Sequence, residues 1–258
     1  MISNLILKII NYYKINGLSK TFLRIWFVLI NFYKKFTFYK KIASNNNVEE
    51  KFTWIYQNNF WDNSESISGK GSTLDATKNI RLQLPELIVK YNIKTIFDAP
   101  CGDLNWMRLL LPNLKVKYIG ADIVDVLVNK LNESYGDENT EFIKLNLITD
   151  PFPSADLMIC RDCLFHLSYK DIHKVLANFL IADIKYILTT TYINQNNFKN
   201  RNINTGDFRA IDLLSEPYNF PNSPLDRFDD WLYPEQPREM CLWSKSQITE
   251  AIKLNFAM

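Results

Sequence analysis

Apolar residues along the chain follow two periods. From Leu74 to Tyr91 they fall at Leu74, Ile80, Leu84, Leu87, Ile88 and Tyr91, a helical spacing in which Pro85 marks a kink or restart. Short β-rich runs come next: TIFD (95–98), VKYIGAD (116–122), EFIKL (141–145), LMIC (157–160) and KYILTTTY (185–192). Helical patterns fill the gaps at 104–111, 124–134 and 168–181, the last opening with Ser168 and Asp171 at capping-box spacing. Strands alternating with helices predict an α/β fold, a doubly wound (Rossmann-like), mostly parallel sheet with helices on both faces. Ligands of such sheets bind beyond the carboxyl ends of the strands, so functional residues are expected just after each run.

Outside this alternation the pattern changes twice. SNNN before Val48 reads as a linker, which makes residues 1–47 a helical extension and 48–258 one α/β domain. After Tyr192, Asn, Pro and aromatic residues dominate until MCLW and SKSQITEAI predict a last strand and helix. So long an irregular stretch predicts a substrate or lid segment over 193–240.

Charge separates the extension from the domain. Residues 1–47 carry eight Lys or Arg and no acid, while the chain as a whole is only +2. Cations at Lys14, Lys20, Arg24, Lys34 and Lys35 interleave with apolar residues, and the longest uncharged run, Ile25 to Tyr33, is well short of the roughly 20 residues of a membrane span. A basic amphipathic extension can pack on its own domain, meet a partner protein or lie on an anionic membrane surface. No nucleic acid is expected, because the basic patch does not continue into the domain. Four cysteines without a secreted spacing, and no evident cleavable signal peptide, predict a cytoplasmic protein, peripheral at the inner membrane surface if the extension binds lipid.

Candidate chemistry sits at the strand ends. The first strand ends in Asp98-Ala99-Pro100-Cys101-Gly102-Asp103, an acid followed by a tight turn in which glycine lets backbone amides approach a ligand. Asp122 ends the second strand, where an acid can bind both ribose hydroxyls of a nucleoside. A dinucleotide fingerprint would need three glycines, and Pro100 and Leu104 occupy two of those places. A cofactor of adenosine without a diphosphate fits better, and S-adenosylmethionine (SAM) is one.

FDAPCGDLNWM resembles the cofactor loop of class I SAM-dependent methyltransferases, within a subgroup carrying the pattern DAPCGDxNW. SGKGSTLDATKNIR (68–81), YIGADIV (118–124), CRDCLFHLS (160–168), LTTTY (188–192) and NTGDFR (204–209) look like that subgroup's other blocks in order. The similarity spans Phe52 to Gln247, and the subgroup is associated with capsule and surface-glycan biosynthesis. The resemblance implies that Asp98, Ala99, Pro100, Cys101, Gly102 and Asp103 surround the methionyl part of SAM. It places Asp122 on the ribose, Ile123 against the adenine, and Asn146 and Leu147 at the adenine edge, although relatives usually carry an acid where this chain has Asn146. Cys160 and Arg161 would close the pocket near the sulfonium. Ser68 to Ser72, with Ser72 foremost, and Arg81 would cap the SAM carboxylate. A small polar acceptor, glycan-related or bearing a phosphate or phosphoramidate, is implied.

Methyl transfer to a hydroxyl also needs a base. His166 follows the fourth strand at the rim and suits that role near neutral pH, whereas His173 lies within a helix. Asp162 could orient His166 or act as the base itself, and Asp207 and Arg209 are candidates to hold a polar or anionic acceptor. No metal is expected, since Cys160-x-x-Cys163 has no second pair at finger-like spacing. Two other readings stay open: a nucleic-acid methyltransferase using the basic arm, and a non-catalytic SAM-binding scaffold at a membrane surface.

Overall fold

The computed structural model describes residues 13–14, 17–27, 29–30, 33, 37, 47–195, 197–231 and 233–256. They belong to two compact units, Met1–Asn46 and Asn47–Met258. In the first, residues 17–27 are helical, and the rest of the expected amphipathic extension lies largely outside the described residues. Among the described residues no helix is long and apolar enough to cross a membrane.

The second unit opens with helix α1 (Val48–Gln57), whose cap is Asn47: its side chain accepts from the backbone N–H of Glu49 and Glu50. Helix α2 (Lys78–Lys90) starts later than the apolar spacing predicts and runs through Pro85. Ile80, Leu84, Leu87 and Ile88 on its buried face hold it against the sheet on both sides of the proline. Then follow β1 (Thr95–Asp98), β2 (Lys117–Asp122), α3 (Asp125–Tyr135), β3 (Thr140–Lys144), β4 (Ala155–Cys160), α4 (Tyr169–Ile181), β5 (Ile184–Tyr192), β6 (Asp226–Asp229), β7 (Arg238–Ser244) and α5 (Lys245–Phe256). The helix expected over 104–111 is replaced by two single 3-10 turns, 107–109 and 111–113. Leu104 adopts a left-handed backbone (φ 61°), and Pro112, just inside the second turn, has no N–H to donate to a continuing helix.

The strands form one seven-stranded sheet in the order β3-β2-β1-β4-β5-β7-β6. β1 to β5 pair in parallel, and β7 inserts antiparallel between β5 and β6. Successive strand residues serve opposite faces: Ile96 packs with α2 and α3, and Phe97 with α4 and α5. Both faces are covered, which is why the central strands read as unbroken apolar runs. The carboxyl ends of β1, β2 and β4 therefore line up along one edge, carrying Asp98, Asp122 and Cys160 to the same side.

α4 shows how local sequence fixes that edge. Ser168 caps it, accepting from the Asp171 N–H at 3.2 Å and donating to its carboxylate at 3.0 Å. Ser168→Ala is expected to cost about 1 kcal/mol, read as a lowered urea midpoint with an unchanged slope. A change below a few tenths would mean that tertiary contacts alone hold this helix start.

Candidate active site

A cleft of about 1120 Å³, open solvent at its mouth included, lies along that edge. Its floor is the turn after β1. Gly102 has φ 58°, and a Cβ there would collide with the Ser68 hydroxyl, so the turn can press against the 66–68 loop only as glycine. Asp103 locks that loop from below: its N–H donates to Ser68 Oγ (2.9 Å), while its carboxylate accepts from Ser66 Oγ (2.9 Å) and the Ile67 N–H (2.8 Å).

Two buried carboxylates face the floor. Asp122 accepts from the N–H groups of Gly102 (3.2 Å) and Val124 (3.1 Å). Asp98 accepts from the Tyr118 hydroxyl at 2.7 Å. Burial pushes Asp98 up to about 7 and Asp122 up to about 6, only partly offset by these hydrogen bonds. A cationic ligand would favour ionisation of both.

Across the cleft stands His166, in the turn between β4 and α4. Its Nδ1 is 2.8 Å from the Asp207 carbonyl, which can only accept, so Nδ1 carries the proton and Nε2 the lone pair. Burial lowers its pKa below the ordinary 6.5, keeping the imidazole neutral near pH 7. Trp61, Phe165 and Phe208 surround the ring at centroid distances of 6.0, 4.6 and 5.9 Å. A neutral imidazole with its donor nitrogen anchored can accept a proton at the other.

Asp162 does not fill the place expected for it. Its carboxylate faces Arg238 Nη2 (3.1 Å), Arg161 Nη1 (3.4 Å) and the Thr190 hydroxyl (3.3 Å). Two guanidiniums and a hydroxyl occupy its lone pairs, and the Asp207 carbonyl takes the orienting position on His166 instead. Arg161 is itself gripped through Nε and Nη2 by Asp230 at 3.0 and 3.2 Å. Gly71 closes over this group, since a Cβ there would collide with the Asp162 carboxylate. The result is a rigid charged wall.

Of the sequence-predicted residues, Asp98, Pro100, Cys101, Gly102, Asp122, Ile123, Asn146, Leu147, Ser72, Arg161, Asp162 and His166 all line the cleft. Six others do not. Ala99 is core, its N–H bonded to the Ile159 carbonyl, and Cys160 is fully buried under the sheet's edge. Asp103 braces the 66–68 loop from outside. Arg81 donates to the Leu74 carbonyl at 2.6 Å, closing its own helix start in place of capping a carboxylate. Asp207 and Arg209 serve the rim from behind: the former offers its carbonyl to His166, and the latter is buried, donating to the Leu164 carbonyl at 3.1 Å. Among the described residues of 193–240 none lines the cleft, and the segment buttresses the rim. Its backbone is pinned to the β4–α4 turn by Gly206 N–H to the His166 carbonyl and Arg209 N–H to the Phe165 carbonyl.

The cover comes from the other end of the unit. Val48, Phe52 and Tyr56 of α1, with Trp61, line the cleft, and Trp106 adds an aromatic face from the turn after β1. Lys51 ties α1 down, its Nζ donating to the Thr205 carbonyl at 3.2 Å. The apolar positions 48, 52 and 56, four apart, were the available signal for this helix. Among the described residues no three His, Cys, Asp or Glu side chains gather as a metal site.

No family model matches this chain, and no curated protein does. Solved structures do. A SAM-dependent methyltransferase from Leishmania major superposes with a TM-score of 0.57 at 13% identity, covering 77% of this chain and 86% of that one. The 1,6-didemethyltoxoflavin-N1-methyltransferase of Burkholderia thailandensis, solved with that substrate and S-adenosylhomocysteine, gives 0.54 at 14% identity over 80% and 88%. An O-methyltransferase family protein from the same organism gives 0.52 at 12% identity over 84% and 71%. At such identities the likeness shows the fold: a Rossmann-like sheet of the methyltransferase type.

Proposed function

We propose that the chain is a SAM-dependent methyltransferase acting on an oxygen of a small acceptor. The observation that carries this is the pairing, across one cleft at the strand ends, of a glycine turn flanked by buried Asp98 and Asp122 with the neutral His166. SAM suits the first wall: it is net cationic where two carboxylates are held partly protonated by burial, and it brings a ribose to Asp122. It has no diphosphate to seat on a turn with one glycine. Its sulfonium supplies an electrophilic methyl group, so the chain's own residues need only align the acceptor and remove its proton. Alignment alone is worth on the order of 7 kcal/mol or more. Structural neighbours that methylate oxygen and nitrogen alike leave the acceptor atom to the residues here, and His166 Nε2, a free acceptor of protons, favours a hydroxyl. The sequence resemblance to the DAPCGDxNW subgroup supports a glycan-related acceptor and a place in capsule or surface-polysaccharide biosynthesis.

Calorimetry tests the cofactor. S-adenosylhomocysteine or SAM is expected to bind and NAD not to, and Asp122→Ala to weaken binding by about 1–3 kcal/mol as charge-assisted hydrogen bonds are lost. SAM affinity should rise with pH between 6 and 8, because the cation binds the ionised form of Asp98, and binding should release protons to the buffer. Asp98→Asn should flatten that dependence. NAD binding without SAM binding would end this reading.

A further inference from the structure

We propose that the part of the cleft lined by both Trp61 and His166 is the acceptor subsite, and that it takes an uncharged, hydroxylated ring packed against the Trp61 indole. This deepens the methyl-transfer reading and rests on it.

Trp61 is placed for such a role by features that serve nothing else described above. It lines the cleft beside His166, ring centroids 6.0 Å apart and planes 39° from parallel. Gly69, at φ 96°, packs against the root of the side chain, where a Cβ would approach Trp61 Cβ to 3.1 Å and Cγ to 3.3 Å. The side chain is thus held at its root by the loop that also grips the β1 turn, with its ring against His166. Its Nε1–H makes no hydrogen bond to any described residue, which leaves a donor for a ring substituent.

Charge selects against an anion. Asp98, Asp122 and Asp162 line the cleft, and its one guanidinium, Arg161, is engaged by Asp230 and Asp162. A phosphate or carboxylate on the acceptor would find no unengaged cation among the described lining residues. A neutral ring meets an aromatic face instead and presents its hydroxyl to His166. As the acceptor oxygen bonds to the methyl carbon, the carbon–sulfur bond breaks and its electron pair stays on sulfur. The hydroxyl proton passes to His166 Nε2. The products are a methyl ether, S-adenosylhomocysteine and a protonated imidazole that returns its proton to solvent.

A pyranose and a phenol share this chemistry, and the test separates them. The full-length protein is given methyl-labelled SAM with three panels: methyl hexopyranosides, simple phenols and hexose 6-phosphates. Label is expected in members of one uncharged panel and not in the phosphates. Trp61→Ala should lower kcat/KM at least tenfold, chiefly through KM, with S-adenosylhomocysteine affinity unchanged as the check on folding. Trp61→Phe should restore most of the loss. Label confined to the phosphates, no label in either uncharged panel while S-adenosylhomocysteine binds, or an unaltered KM in Trp61→Ala would each overturn the proposal. Failure to bind S-adenosylhomocysteine at all would instead strike the methyl-transfer reading beneath it.

Discussion

Replacing His166 with alanine is expected to lower kcat by about 10²- to 10⁴-fold, the usual contribution of a general base. S-adenosylhomocysteine affinity should stay unchanged, because none of the hydrogen bonds that hold Asp98, Gly102 and Asp122 in place involves His166. The base works in its neutral form, so activity is lost as pH falls through the imidazole pKa. Burial lowers that pKa, which places the acid limb of the profile below 6.5. An acid limb above 6.5 would point to a different group, and full activity in the variant would mean that the acceptor arrives ionised. Asp162→Asn offers a contrast. It disturbs the bonds to Arg161 and Arg238 but not the imidazole's anchor on Asp207, so its acid limb should stay where the unaltered protein has it.

Removing Arg161 should cost stability more than any other substitution in the site. Asp230 is fully buried, and Arg161 holds it through two nitrogens. Breaking a buried pair by deleting one partner costs roughly 3–5 kcal/mol. The low end applies here, since Arg238 Nε still stands 3.8 Å from Asp230. Burial already pushes the Asp230 carboxyl above its ordinary value, and loss of Arg161 pushes it further. In Arg161→Ala the native state then keeps a proton that the unfolded chain has released. The variant should be least destabilised in mild acid and lose stability as pH rises through the folded pKa. Denaturant melts at pH 5 and pH 8 read this directly. A penalty equal at both pH values would mean that Asp230 finds another cation. The double variant Arg161→Met, Asp230→Leu should recover much of the loss, because it leaves no charge stranded.

The strands and the residues that line the cleft at the ends of β1 and β2 were legible because each rests on local information. Apolar runs at β1 to β5 give the strands, and the residues immediately after them give Asp98, Gly102 and Asp122. What was illegible depended on pairing at long range. Asp226–Asp229 carries two aspartates in four residues and reads as loop, yet it is a strand because β7 supplies its hydrogen bonds. Arg209 and Asp207 look like ligand holders by charge, but backbone bonds to the β4–α4 turn face one inward and use only the carbonyl of the other. Asp162 looked like a partner for His166 by proximity in sequence. Arg238, 76 positions away, claims it instead. Trp61 carries no sequence signal at all, since an aromatic pair such as Phe60-Trp61 in a polar stretch acquires meaning only from what it faces.

The antiparallel insertion of β7 also fixes when the site can exist. A ribosome delivers β5 well before Arg238–Ser244 and β6 shortly before it, and in the finished sheet each of them pairs with β7. Until that strand emerges, β5 presents an open, apolar edge, and β6 has no partner. Arg161 and Asp162 meanwhile lack Arg238, and the charged wall of the cleft is incomplete. The nascent protein therefore completes the charged wall of the cleft last. Exposure to other chains is greatest in that interval, the point at which β5 could be captured by a neighbouring strand.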